Sequence, residues 1–175
     1  PVPTEMSGLV YGAGLDRTIR YDVENIKRYP DVFTQGEAVV FTEKVHGTWA
    51  QLGLVAERMA HAEHGRLVVS SKGYASRGLA FVPDALENAN NLYLRVARHL
   101  DISARIDRVF GTTGESVFVL GEVFGRGVQD LSYGASAADD TTLGFRVFDI
   151  YIGDPGMGRY LSDLDLSAAV KALGL

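Results

Sequence analysis

Glu37-Ala38-Val39-Val40-Phe41-Thr42-Glu43-Lys44-Val45-His46-Gly47-Thr48-Trp49-Ala50-Gln51-Leu52-Gly53-Leu54-Val55 is the stretch on which the reading of the chain turns. Its first six residues are rich in β-branched and aromatic side chains, and they predict a strand that delivers Lys44. Thr48 to Val55 predicts a second strand, with Trp49 and Gln51 on the face opposite Ala50 and Leu52. A lysine that acts as a nucleophile must be neutral, so its site has to disfavour the charged amine by desolvation or nearby positive charge. The end of a strand followed by Gly47 suits such a site, because glycine lets backbone approach a ligand closely. In extended chain His46 falls on the same side as Lys44. A solvated lysine in a plain hairpin has the same local sequence, so these residues alone leave both readings open.

The 175 residues suffice for one domain with a core, and 46% hydrophobic with 22% charged residues is a globular composition. Cysteine is absent, which excludes disulfides and thiolate metal sites and makes a reducing, cytoplasmic setting the expectation. No apolar run approaches the ~20 residues that span a bilayer, and no secretory signal is evident. A net charge of −5 argues against a protein that simply coats polyanions, while leaving room for a local basic groove. The chain starts Pro1-Val2-Pro3 rather than with Met, so a fragment or an excised domain is expected.

Residues 1–20 are rich in glycine and turn formers and read as a linker or lead-in; 21–175 read as the domain. Tyr21 to Phe33 predicts a short helix, capped by Asp22 and ended by Pro30. A polar loop from Glu57 to Arg66 precedes a strand at Leu67-Val68-Val69-Ser70-Ser71. From Pro83 the period changes: Leu92, Val96 and Leu100 recur four apart, and Ile102, Ile106 and Val109 continue the pattern after a break. Val117 to Gly121 and Phe145 to Tyr151 predict inner strands, and Ser167 to Leu173 a last helix stopped by Gly174. Strands in mostly antiparallel order with packed helices give an α+β fold.

Several segments in the same order resemble motifs of one family. Glu43-Lys44-Val45-His46-Gly47-Thr48 resembles the nucleotidyl-acceptor motif of the RNA ligase 2 type of covalent nucleotidyltransferase. Ser70-Ser71-Lys72-Gly73 is similar to the short motif that follows it. Gly121-Glu122-Val123-Phe124-Gly125-Arg126-Gly127-Val128-Gln129, with Tyr133-Gly134 behind it, resembles the third motif, and Phe145-Arg146-Val147-Phe148-Asp149-Ile150 the strand after it. The lead-in Tyr21-Asp22-Val23-Glu24-Asn25-Ile26 is similar to the Deinococcus-type nick-sealing branch.

The resemblance implies an ATP-dependent RNA ligase with an adenylyltransferase (ATP-grasp-like ligase catalytic) domain. Lys44 would take AMP from ATP, pass it to a 5′-phosphate RNA end, and leave a 3′-hydroxyl to seal the strand. It further implies that the Glu43 backbone reads the adenine amine, that His46 and Gly47 lie beside the α-phosphate, and that Lys72 meets a phosphate. Arg77, in the same loop as Lys72, could do that instead. Glu122 would contact the ribose or the water of a bound Mg2+ (or Mn2+), and Phe148 would stack on adenine. RNA ends or a nicked duplex are the implied partners, with no membrane and a monomeric state. Two departures stand out. Trp49 occupies a position where the family often has Asn, and after Ile150 neither a Glu-Gly-hydrophobic strand nor a Lys-x-Lys strand is found. The domain is therefore expected to be incomplete at its carboxyl end.

A related DNA ligase, a GTP-using capping nucleotidyltransferase, and a degenerate, non-catalytic nucleotide- or RNA-binding module are the alternatives. His61-Ala62-Glu63-His64 lacks a third nearby metal donor, and Gly12-Ala13-Gly14 lacks the Gly-Lys-Ser/Thr of a phosphate loop. Arg95, Arg98, Arg105 and Arg108 could form a basic stripe along RNA or an ordinary solvated helix face.

Overall fold

Alternation along Thr48–Leu54 (β2) sets the two faces of the sheet. Ala50, Leu52 and Leu54 point into one apolar cluster, while Trp49 belongs to a second cluster across the sheet. The computed structural model describes residues 6–14, 17–73, 77–125, 128 and 143–175. The expected segment Arg126–Gly127, Gln129, and Tyr133–Gly134 lie outside the described residues.

The strands are Val10–Ala13 (β1), β2, Leu67–Ser71 (β3), Leu79–Phe81 (β4), Val117–Phe124 (β5), Gly144–Ile152 (β6) and Arg159–Tyr160 (β7). They form one seven-stranded sheet in the order β1-β4-β3-β2-β5-β6-β7. Every neighbouring pair is antiparallel. Leu92–His99 (α1), Ile102–Phe110 (α2) and Asp163–Leu173 (α3) complete the α+β architecture that the sequence predicts.

The helices cover the face of Ala50, Leu52 and Leu54. Leu94, Val96, Ile102, Ile106 and Leu173 are buried there against Val119 and Ile150. Each such side chain contributes about 1.5–3 kcal/mol on removal from water. Asn91 caps α1 by accepting from Tyr93 and Leu94 N–H at 3.1 Å, and Ser162 caps α3 through Asp165 N–H at 3.3 Å. The last helix therefore starts four residues before the expected Ser167. Gly174 ends it in the left-handed conformation (φ 72°). The Tyr93 ring stacks on Phe81, and its hydroxyl lies 2.9 Å from Thr48 Oγ1, which ties α1 to the first residue of β2.

Of the four arginines that could line a basic stripe or a solvated face, three are engaged by the fold. Arg105 Nη1 donates to the carbonyls of Leu173 and Gly174 at 2.7 Å, and Arg108 Nη2 donates to Ala172 at 3.0 Å. Arg98 Nη2 donates to Pro83 at 2.6 Å. Two of these arginines neutralise the carbonyl end of α3, where partial negative charge collects.

Two expected elements do not form. Glu37 to Thr42 carries no strand, and Tyr21 to Phe33 holds only a 3-10 turn at Ile26–Arg28, capped by Asn25 rather than Asp22. A strand needs a neighbour for its backbone groups. Among the described residues no strand pairs with 37–46. Conversely, β1 arises inside the stretch read as lead-in. Buried Asn88 holds it, donating to Leu9 and Val82 carbonyls at 2.7 and 2.9 Å and accepting Leu9 N–H at 2.8 Å. Asn88→Ala removes all three bonds and is expected to lower the unfolding free energy by about 2 kcal/mol. Urea denaturation checks this, and an unchanged midpoint would show that Asn88 does not secure β1.

Candidate active site

The site is built where β2 begins beside the end of β5. Thr48 pairs with Val123 and Trp49 with Glu122, so Gly47 lies against the backbone of Val123. A Cβ added to Gly47 would sit 2.1 Å from the Val123 carbonyl oxygen, a separation no side chain can occupy. That proximity lets Gly47 N–H donate to Glu122 Oε1 at 3.1 Å.

Burial raises the Glu122 carboxyl above its ordinary range. The Gly47 N–H and the charges of Lys44, His46 and Lys72 act in the opposite direction and favour the carboxylate. Three basic side chains from two segments therefore lie within electrostatic reach of one acid. Lys44 and Glu43 are exposed, while His46 and Gly47 are half-buried. Lys72 follows the last residue of β3, two positions beyond Ser70, which is on the same sheet face as Gln51.

Phe148 reaches this face through a break in alternation. Leu120 pairs with Asp149 and Gly121 with Val147, so Phe148 is an extra residue in β6. A bulge shifts the side-chain phase by one position. Val147 and Ile150 thus keep to the helix side, while Phe148 and Asp149 both join the opposite face, with Leu120 and Trp49.

Sequence reasoning assigned no role to Asp149, Tyr21 or Tyr160, which form a linked group beginning at Phe148. The Tyr21 ring lies 5.0 Å from Phe148 and 5.6 Å from Tyr160. Its hydroxyl is hydrogen-bonded to the Asp149 carboxylate. Burial and the Asp149 charge push the Tyr160 hydroxyl up to about 12. The signal for Asp149 was present in the sequence as the Phe148-Asp149 pair that interrupts the alternation of β6.

The same face has hydrogen-bonding capacity that the fold does not use. Trp49 Nε1, Gln51 Nε2 and Ser70 Oγ are buried without a hydrogen-bond partner among the described residues. Such groups are rare in folded proteins. Among the described residues no three His, Asp or Glu side chains converge as a metal cage. Glu122 offers one carboxylate, which fits an ion carried in on phosphate oxygens, as Mg2+ commonly is, and does not fit a resident protein-only site. His61 and His64 stack on each other at 4.5 Å beside Tyr11, away from these residues in the β2–β3 loop.

A sequence model of the RNA ligase family matches residues 37–175. The chain belongs to the RNA ligase family. No curated protein sequence matches it. Among solved structures, a mutant of Naegleria gruberi RNA ligase with ATP and Mn aligns with a TM-score of 0.65 at 20% identity. Another mutant of that ligase, with AMP and Mn, gives 0.67 at 20%, and the ligase with PPi gives 0.64 at 18%. At such identity the likeness is one of fold. Each alignment covers 99% of this chain and 44% of the other, so the chain spans less than half the length of those ligases.

The raised Glu122 carboxyl has a consequence for stability. Over a window above the usual glutamate range the folded chain still holds a proton that the unfolded chain has lost, so stability falls as pH rises through that window. Glu122→Gln removes this loss and keeps an acceptor for Gly47 N–H. Its melting temperature is expected to exceed that of the wild type at pH 7 and to converge with it below the ordinary glutamate range. A difference that does not vary with pH, measured by thermal denaturation, would contradict the assignment.

Proposed function

We propose that this chain carries the nucleotide site of an ATP-dependent RNA ligase, with Lys44 as the nucleophile. The observation that supports it most is the Gly47 N–H bond to Glu122 at 3.1 Å, with the charges of Lys44, His46 and Lys72 near enough to favour the Glu122 carboxylate. One acid among several bases suits a substrate that brings its own negative charge, because phosphate oxygens can take over the basic groups when they arrive.

In this reading the Lys44 Nζ lone pair attacks the α-phosphorus of ATP. An N–P bond forms, the bond to the β-phosphate oxygen breaks, pyrophosphate departs, and the amine proton passes to solvent. A 5′-phosphate oxygen of RNA then attacks the same phosphorus and releases Lys44. Finally a 3′-hydroxyl attacks the activated 5′-phosphorus, and AMP leaves as the strand is sealed. Positioning and charge neutralisation supply most of the acceleration in such transfers.

Lys72 and His46 would face the phosphates, the Glu43 backbone and Phe148 the adenine, and Glu122 the ribose or a water of the divalent ion. That ion, Mg2+ or Mn2+, would offset phosphate charge when bound. The buried donors Trp49 Nε1 and Gln51 Nε2 add polar capacity under the same face. A nicked duplex is the proposed RNA substrate, in line with the lead-in at Tyr21 to Ile26, and the acting unit is a monomer.

The test is incubation of the gene product that carries this chain with α-labelled ATP or GTP and a divalent ion, followed by denaturation. Label from ATP, little from GTP, and none in Lys44→Ala or Lys44→Arg is expected. Lys72→Ala is expected to slow labelling by roughly tenfold or more. Absence of label would sink the catalytic reading, and preferred labelling by GTP would move the protein to the capping class.

A further inference from the structure

Residues 17–22 run across the face just described and reach Phe148 and Lys72. Thr18 and Ile19 are buried (2% and 5% exposed), so the segment is embedded rather than loosely laid. Ile19 N–H donates to Gln51 Oε1 at 2.7 Å, and Thr18 Oγ1 donates to the Gly14 carbonyl at 2.8 Å. The Tyr160 hydroxyl donates to the Arg20 carbonyl at 3.3 Å. These anchors lead directly into Tyr21 and Asp22.

Tyr21 lays its ring against Phe148 at 5.0 Å with the planes tilted by 39°. The Asp22 carboxylate reaches Lys72 Nζ at 4.0 Å. An aromatic ring on Phe148 and an anion on Lys72, joined by a short covalent link, reproduce the two features of adenosine phosphate that those side chains are suited to receive.

We propose that Tyr21-Asp22 is a resident stand-in for the nucleotide, and that an adenosine phosphate binds by displacing it. The proposal rests on the reading of Phe148 and Lys72 as nucleotide contacts. Tyr21 and Asp22 then set the apparent affinity without touching the reacting phosphorus. A pocket whose open form is only fractionally populated binds more weakly by that fraction, so removing the occupant tightens binding.

Calorimetric titration of the gene product with AMP and with adenosine, neither of which can label Lys44, tests this directly. Tyr21→Ala is expected to tighten both ligands by about three- to tenfold, the range set by one aromatic pair. Asp22→Asn is expected to tighten AMP by a smaller factor and to leave adenosine unchanged, because adenosine brings no anion to Lys72. Asp22 is exposed, so that variant keeps the fold even where Tyr21→Ala does not. Wild-type binding with no tightening in either variant overturns the stand-in while leaving the pocket intact. Weaker binding in Tyr21→Ala also overturns it, and makes Tyr21 a wall of the base site. Absence of AMP binding in every form removes the pocket itself, and the stand-in with it.

Discussion

The approach of Gly47 to the β5 backbone is the constraint on which the site depends. A side chain there would strike the Val123 carbonyl, so the chain can enter β2 at this point only through glycine. The same proximity turns Gly47 N–H onto Glu122 and draws the Lys44–His46 segment towards an acid that also feels the charge of Lys72. The bond between Tyr93 and Thr48 fixes the next residue from the other side of the sheet. The position of the Lys44–His46 segment beside Glu122 is thus set by pairing between β2 and β5.

The two faces of the sheet divide the work. Helices α1, α2 and α3 bury one face with aliphatic side chains, and Arg98, Arg105 and Arg108 are spent on helix-terminal and loop carbonyls. The other face carries aromatic rings, half-buried titratable groups and polar atoms without partners. Such groups are costly to bury unless something compensates them. One inserted residue in β6 extends this face, because the bulge brings Phe148 and Asp149 to the same side. Stability accumulates on one surface and chemical capacity on the other.

Much of this was legible in the sequence where side-chain pattern and backbone pairing agree. The alternation of Thr48 to Leu54 gave both faces correctly, and Leu67 to Ser71 was read to the residue. The four-residue spacing of Leu92, Val96 and Leu100 marked α1 and its break before α2. Pattern failed where structure depends on a distant partner. Val39, Val40 and Phe41 have strong strand propensity, yet Phe41 is 92% exposed and the segment is unpaired among the described residues. Propensity describes how well a side chain fits a sheet already present. Val10–Ala13 failed in the opposite sense: glycine-rich and weak in pattern, it is a strand because Phe81 and Asn88 hold it. For the site, Lys44, His46, Gly47, Lys72 and Glu122 were singled out by local motifs, and the structure bonds Gly47 to Glu122 within electrostatic reach of the three basic groups. Tyr21 and Asp149 were not given roles: the place of Tyr21 follows from a buried anchor that no short motif encodes, and the break in alternation at Phe148-Asp149 shows its meaning only once β5 and β6 are paired.

The chain has four lysines, at positions 27, 44, 72 and 171. Peptide mapping by mass spectrometry, after incubation of the gene product with ATP and a divalent ion, can therefore ask which lysine carries AMP. The account predicts one adduct, on the peptide containing Lys44 and joined through its Nζ. An adduct on Lys72 with Lys44 unmodified would contradict it, because the residue taken here as a phosphate contact would then be the nucleophile.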